Sequence, residues 1–153
     1  MATIGASTFV HDVVVAIRDI LSTNMTDPNS GPRAANDKFV MTSYPERPNT
    51  VWPVVTVRAR NVNTFAPTGF RSEVMAFIVP VEIRVWARNM LEKDELTDQV
   101  IAQLRTRQID GTSGTIDSNL FDMELISSVD VDESGKGAIK SRVMIFSYSY
   151  IAG

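Results

Sequence analysis

The stretch Arg71–Arg107, RSEVMAFIVPVEIRVWARNMLEKDELTDQVIAQLRTR, decides the fold. Between Met75 and Ala87 every second residue is apolar (Met75, Phe77, Val79, Val81, Ile83, Val85, Ala87). That period of two lines one face of a β-strand. The intervening residues form the other face, which turns polar at Glu82, Arg84, Trp86 and Arg88. At Asn89 the period changes. Asn89 with Glu92 three residues on spells a capping box. Leu96, Val100, Ile101 and Leu104 then recur at helical spacing, while Glu92, Lys93, Asp94, Asp98, Gln103 and Arg105 are expected to point elsewhere. A strand of about 16 residues exceeds the usual maximum near ~10. It is therefore expected to overhang its own core and to meet another chain.

Upstream, Ser7 or Thr8 can cap a first helix whose stripe is Phe9, Val10, Val13, Val14, Ile17, Ile20 and Leu21. Asp12, Arg18 and Asp19 lie off it. Thr26–Asp37, TDPNSGPRAAND, reads as an exposed loop. Lys38–Tyr44 is a short strand candidate, closed by a two-proline turn that no sheet interior tolerates. In Val54–Arg60, Val55, Val57 and Ala59 alternate with Thr56, Arg58 and Arg60, giving a half-buried strand with a cationic outer face. The segment Asn61–Phe70 joins it to the long strand as a loop long enough to be functional or disordered.

Downstream, Ile109–Ser118 reads as a connector. Phe121, Met123, Leu125, Val129 and Val131 alternate with Asp122, Glu124, Ser128, Asp130 and Asp132, which predicts a strand with an acidic outer face. Glu133–Gly137 is a hairpin turn. In the last strand Ile139, Val143, Ile145 and Ile151 share one face, and Lys140, Arg142, Met144, Phe146, Tyr148 and Tyr150 the other. Register would set Lys140 and Arg142 near Asp130 and Asp132. The element order predicts an α+β fold: a mostly antiparallel sheet of four or five strands, one of them long and overhanging, with two helices packed on one face.

The 153 residues suit a single domain spanning 1–153, and a net charge of −3 argues against a dedicated nucleic-acid binder. The absence of cysteine excludes disulfides, thiolate metal sites and cysteine nucleophiles. The opening MATIGASTFVHD lacks the basic and apolar regions of a signal peptide, and no apolar run is long enough for a membrane span. A soluble intracellular chain is expected.

Motifs for chemistry fail one after another. His11, the single histidine, neighbours Asp12, but adjacent helical positions do not face each other. Asp130-x-Asp132-x-Ser134-Gly135 opens like a calcium loop, yet Ser141 replaces the bidentate glutamate, and Lys136 and Lys140 would repel a cation. Ser134-Gly135-Lys136-Gly137 lacks both the first glycine and the hydroxyl residue of a phosphate loop. No catalytic residue, cofactor site or metal site is assigned. Arg58, Arg60, Arg71, Arg84 and Arg88 gather on the central strands or their ends. They could touch phosphates, or form a solvated face or an inter-subunit ion-pair surface, which is preferred. Trp52, Phe65, Phe70 and Trp86 lie in loops or on the less buried strand face, where aromatic anchors serve interfaces. The expected interface set is Trp52, Arg58, Arg60, Phe65, Phe70, Arg71, Arg84 and Trp86.

Several stretches together carry a resemblance: Tyr44-Pro-x-x-Pro48, Trp52-Pro-Val-Val-Thr-Val-Arg58, Val81-Glu-Ile-Arg-Val-Trp-Ala87, Glu95-Leu-x-x-Gln-Val-x-x-x-Leu104 and Arg142-Val-Met-Ile-Phe-Ser-Tyr-Ser-Tyr150. In element order and pattern the chain is similar to the tail terminator (tail-completion) proteins of long-tailed bacterial and archaeal viruses. The resemblance implies a hexameric ring that caps the tail tube, stops its growth and joins the tail to a neck or head-completion protein. Genomic DNA would pass through the channel without specific binding. It also implies location in the virion, with assembly in the host cytoplasm, and no catalytic residues or membrane partner. Alternatives are a head-completion or head–tail connector protein of the same particle and, from another class, a small ligand-binding or enzymatic α+β domain. A nucleic-acid module using the strand arginines is a third.

Overall fold

A computed structural model describes residues 8–29, 33, 38–42, 51–60, 63–64, 75–109, 120–131 and 139–152. Chain order is α1 (Phe9–Asn24), β1 (Val40–Met41), β2 (Val54–Ala59), β3 (Asn63–Thr64), β4 (Met75–Ala87), α2 (Met90–Ile109), β5 (Leu120–Val131) and β6 (Lys140–Ala152). The fold is α+β. Five strands form one open sheet in the order β1-β2-β4-β6-β5, and the short β3 adds to β4 beyond the end of β2. All pairings are antiparallel except β1 with β2, where Val40 and Met41 run parallel to Val55 and Thr56.

The long strand owes its length to β6. All 13 residues of β4 are matched in register by β6, from Met75↔Ala152 to Ala87↔Lys140. On its other edge β4 outruns β2, whose pairing stops at Ala59↔Val81. The end that extends past β2 is therefore held by β6 and, at Phe77 and Ile78, by β3. Asn63 and Thr64 thus form a strand within what reads as a loop in sequence. Phe65, Phe70, Arg71 and the connector 110–118 lie outside the described residues.

The alternating residues of β4 do what their period predicts. Val79, Val81, Ile83, Val85 and Ala87 are fully buried, facing Val55 and Val57 of β2 and Met144, Phe146 and Tyr148 of β6. Val13, Ala16, Ile17 and Leu21 of α1 and Leu96, Val100 and Leu104 of α2 close the same cluster. Both helices thus cover one face of the sheet. Each fully buried aliphatic side chain contributes roughly 1.5–3 kcal/mol. Burial pushes the Tyr148 phenol above its ordinary pKa, and its hydroxyl has no hydrogen-bond partner among the described residues.

Capping follows the sequence at α2 with one change. Glu92 N–H donates to Asn89 Oδ1 at 2.9 Å, but the Glu92 carboxylate accepts from the backbone N–H of Arg88 (3.0 Å) rather than from Asn89. It also receives the Arg88 guanidinium, with Nη2 at 2.6 Å. At α1 the Thr8 side chain makes no cap bond; its hydroxyl donates to Asp12 Oδ2 at 2.6 Å.

Two corrections concern charged residues. Lys93 lies off the apolar stripe of α2 yet is only 2% exposed, with Nζ 2.9 Å from Asp130 of β5. Its aliphatic stem fills the α2–sheet junction while the ammonium reaches a carboxylate at the rim. The loop after α1 is not wholly exposed either. The Arg33 guanidinium, 9% exposed, holds Asp27 at 2.5 Å and donates to the Val51 and Pro53 carbonyls at 2.6 Å each. It ties the end of α1 to the start of β2.

A third correction concerns β5. Register shifts between Phe121 and Glu124 and between Leu125 and Ser127 break the alternation. Glu124 lies opposite Ser147 on the face away from the helices, whereas Asp130 lies opposite Arg142 on the helix side. The acidic face expected from sequence is therefore divided between the two sides of the sheet; Asp132 lies outside the described residues. Bulges cause this by adding residues that the partner strand does not match. The Asp130–Arg142 pair does form, at 3.2 Å.

Two outcomes follow. Ile83→Ala, at a site with no exposure, is expected to cost about 2–5 kcal/mol, measured by urea unfolding. Arg88 hydrogen bonding holds the Glu92 carboxyl below its ordinary 4.5, with burial opposing. Its contribution is therefore complete above the unfolded pKa and lost as pH falls through the lower folded value. In Glu92→Gln the loss of stability on acidification below about pH 5 should be smaller than in the wild type, as read by thermal melts across pH.

Candidate functional site

The face of the sheet opposite the helices carries most of the residues singled out from sequence. Register places them in rows across the strands. Val54, Trp86, Ser141 and Val131 form one row. Thr56, Arg84, Val143 and Val129 form the next, followed by Arg58, Glu82, Ile145 and Ser127. Even-numbered residues of β2 and β4 share this face because the odd ones are committed to the core.

At the Trp86 end the face is partly self-covered. The Arg84 guanidinium stacks 4.0 Å from the centre of the Trp86 ring, and Trp52 leans on the same indole at 6.1 Å between centroids. Trp86 Nε1 donates to Thr56 Oγ1 at 3.3 Å, and Arg84 Nη2 to Ser141 Oγ at 3.2 Å. Arg58 pairs with Glu82, whose side chain is 7% exposed and lies beneath the half-exposed guanidinium. A carboxylate this deep on a bare sheet face is tolerable because a cation covers it.

Toward the other end the face opens into a depression of about 600 Å³, lined among the described residues by Arg58, Ala59, Arg60, Pro80 and Ile145. Pro80 and Ile145 give it apolar side chains and Arg58 and Arg60 a cationic rim, while Ala59 packs toward the core. Arg60 is exposed. Its backbone N–H donates to the Pro80 carbonyl at 2.9 Å, which continues the β2–β4 ladder by one residue.

The structure therefore brings together Trp52, Arg84 and Trp86 at one end and Arg58 and Arg60 at the other. Phe65, Phe70 and Arg71 lie outside the described residues. Arg88 is not part of this face; it belongs to the α2 cap with Glu92. His11 is exposed on α1 and the acidic start of α2 lies in the helix layer, so neither joins the depression across the sheet. Sequence reading missed Lys93, because a lysine at a charged helix start carries no sign of burial. It also missed the exposed apolar group on β5, where Leu125, Ile126 and Val129 are 39%, 56% and 57% exposed. The signal for that group was present as an apolar excess in a strand later found at the sheet edge.

On the helix side, Asp130 joins Lys93 and Arg142 between α2 and β5. The Lys93 hydrogen bond is the main cause that lowers the Asp130 pKa. Among the described residues, no group of three or more His, Asp or Glu side chains is placed to hold a metal ion, and no helix is long and apolar enough to cross a membrane. No protein-family model matches the chain, and no curated protein matches it.

Removing Asp130 leaves the buried Lys93 ammonium short of its closest acceptor. Lys93→Met instead keeps the apolar stem and leaves Asp130 paired with Arg142. Asp130→Ala should therefore destabilise more than Lys93→Met. The difference should be about 1–2 kcal/mol, a charged hydrogen bond discounted because Asp130 is half exposed. Chemical denaturation of the two variants and the wild type measures it.

Proposed function

We propose that this chain is a structural virion protein, a tail terminator whose copies form a ring that caps the tail tube, ends its polymerisation and joins the tail to the neck. The observation that carries this reading is the asymmetry of the sheet. One face is closed by two helices, and the other presents aliphatic, tryptophan and arginine side chains on long, rigidly paired strands. Such a surface is suited to binding rather than to bond-making chemistry, and aromatic and arginine anchors are what protein interfaces favour. The resemblance in element order and strand patterns to tail terminator proteins supports the same reading. Its partners would be other copies of itself in a ring (a hexamer, by that resemblance), the tail tube protein below and a neck or head-completion protein above. DNA would pass through the channel without sequence recognition. The protein would act in the tail or neck of the virion, after assembly in the host cytoplasm.

Two other functions keep specific support. A head–tail connector of the same particle would use the same bare face against the portal side. Ligand binding is favoured by the arginine-rimmed depression, since a small acid with an apolar body matches that lining.

The test adds purified protein to growing tail tubes and measures tube length by electron microscopy, alongside native mass spectrometry over a range of concentrations. Arrest of growth with a closed ring on the tube end is expected. Unchanged tube growth with binding to portal complexes would replace the terminator by the connector. Retention of small carboxylic acids by a monomer that touches neither would favour the ligand-binding domain.

A further inference from the structure

The open face contains a row whose two ends carry opposite charge. Arg60 follows directly on β2 and bonds to Pro80 of β4; Pro80 lies opposite Ser147 of β6, and Ser147 opposite Glu124 of β5. Both Arg60 and Glu124 are exposed, and neither has an ion-pair partner among the described residues. They stand at opposite margins of the sheet, three strand spacings or roughly 14 Å apart, too far to pair within one molecule.

The surroundings of each match the other. Beside Arg60 lies the depression floored by Pro80 and Ile145 and rimmed by Arg58. Two residues on from Glu124, Ile126 falls at a register shift, out of the ladder and 56% exposed, while Leu125 lies opposite Phe146 on the helix side. A bulge is a common device for turning a side chain away from its own sheet. β5 is the last strand of the sheet, with no neighbour on its outer side among the described residues. At the opposite margin β1 covers only Val55 and Thr56 of β2, so the Arg58–Arg60 end has no strand beside it among the described residues.

From this we infer that copies of the chain associate side by side, head to tail. The Glu124-Leu125-Ile126 bulge of one copy enters the arginine-rimmed depression of the next, with Glu124 against Arg60 and Ile126 on the apolar floor. The contact joins two different patches, so each copy keeps one of each for a further neighbour, which gives a ring where the rotation between copies closes and an open filament where it does not. Self-pairing of two β5 edges is disfavoured, because β5 carries no cation of its own to set against Glu124. The inference rests on the proposed ring and names the contact that would build it.

Charge exchange tests it. Arg60 and Glu124 are both exposed, so R60E and E124K should fold, as circular dichroism and thermal melts will verify. Each single variant should assemble at least about tenfold more weakly than wild type in sedimentation velocity. An equimolar mixture of the two, and the double variant R60E/E124K, should recover assembly, because each then offers opposite charges at every junction. Ile126→Ser should weaken assembly without lowering the melting temperature. Wild-type protein that stays monomeric at all concentrations, singles that assemble like wild type, or a mixture that fails to recover would each overturn the contact. The tube-growth assay separates the two ideas. Wild-type arrest of tubes with unaltered assembly of the charge variants leaves the terminator standing and removes this contact. Recovery by charge exchange without tube arrest leaves the contact and removes the terminator.

Discussion

The register between β4 and β6 is the constraint on which the rest of this structure depends. Thirteen consecutive residues are paired on each strand. A slip of one residue would turn every core side chain of one strand to the other face. With the register as it stands, Val79, Val81 and Ile83 meet Tyr148, Phe146 and Met144 side by side under the helices. A one-residue slip would bury only one of the two apolar sets. β2, β5 and both helices are then placed by what this pair leaves to be covered.

Departures from regularity collect at the margins of that pair. On one side the parallel β1 is only two residues long, and β2 stops well before β4 does. On the other, β5 carries two register shifts. The shifts convert a strand with one acidic face into one that contributes Asp130 to a cluster with Lys93 and Arg142 and Glu124 to the opposite side. Short edge strands, bulges and charges are ways of preventing indiscriminate pairing at a sheet edge. Here the same features leave Glu124 and Ile126 exposed at the edge of the sheet.

The two faces obey different rules. On the helix side the polar groups among the described residues are few and, apart from the Tyr148 hydroxyl, paired: Lys93 with Asp130, and Thr97 donating to the Lys93 carbonyl at 2.8 Å. On the open side a buried carboxylate, two mutually tilted indoles and guanidinium groups lie among valines and isoleucines. This mixture is too polar for a second core and too apolar for a wholly solvated face. It fits a surface that is covered only part of the time, or only in an assembly.

The sequence by itself determined the α+β class, the two-residue period of β4 and β6, the change to helix at Asn89 and that Met144, Phe146 and Tyr148 share one strand face; that this face is the core one was decided by the structure. Each of the sequence-determined features is set by neighbours within a few residues, where local geometry and the pattern of apolar side chains leave one solution. It also pointed to Arg58, Arg84 and Trp86 as residues of the less buried face, since parity alone places them there. Only the tertiary structure decided the parallel pairing of β1, the burial of Lys93, the engagement of Arg33 and the split of the acidic strand. These depend on which partner strand leaves a residue unmatched, or on a counter-charge 37 residues away in the chain, as Asp130 is from Lys93. The row from Arg60 to Glu124 is of the same kind: it exists only because two antiparallel pairings and one backbone hydrogen bond line up residues from four separate segments. Periodicity reports which face a residue occupies, but not which residue lies beside it.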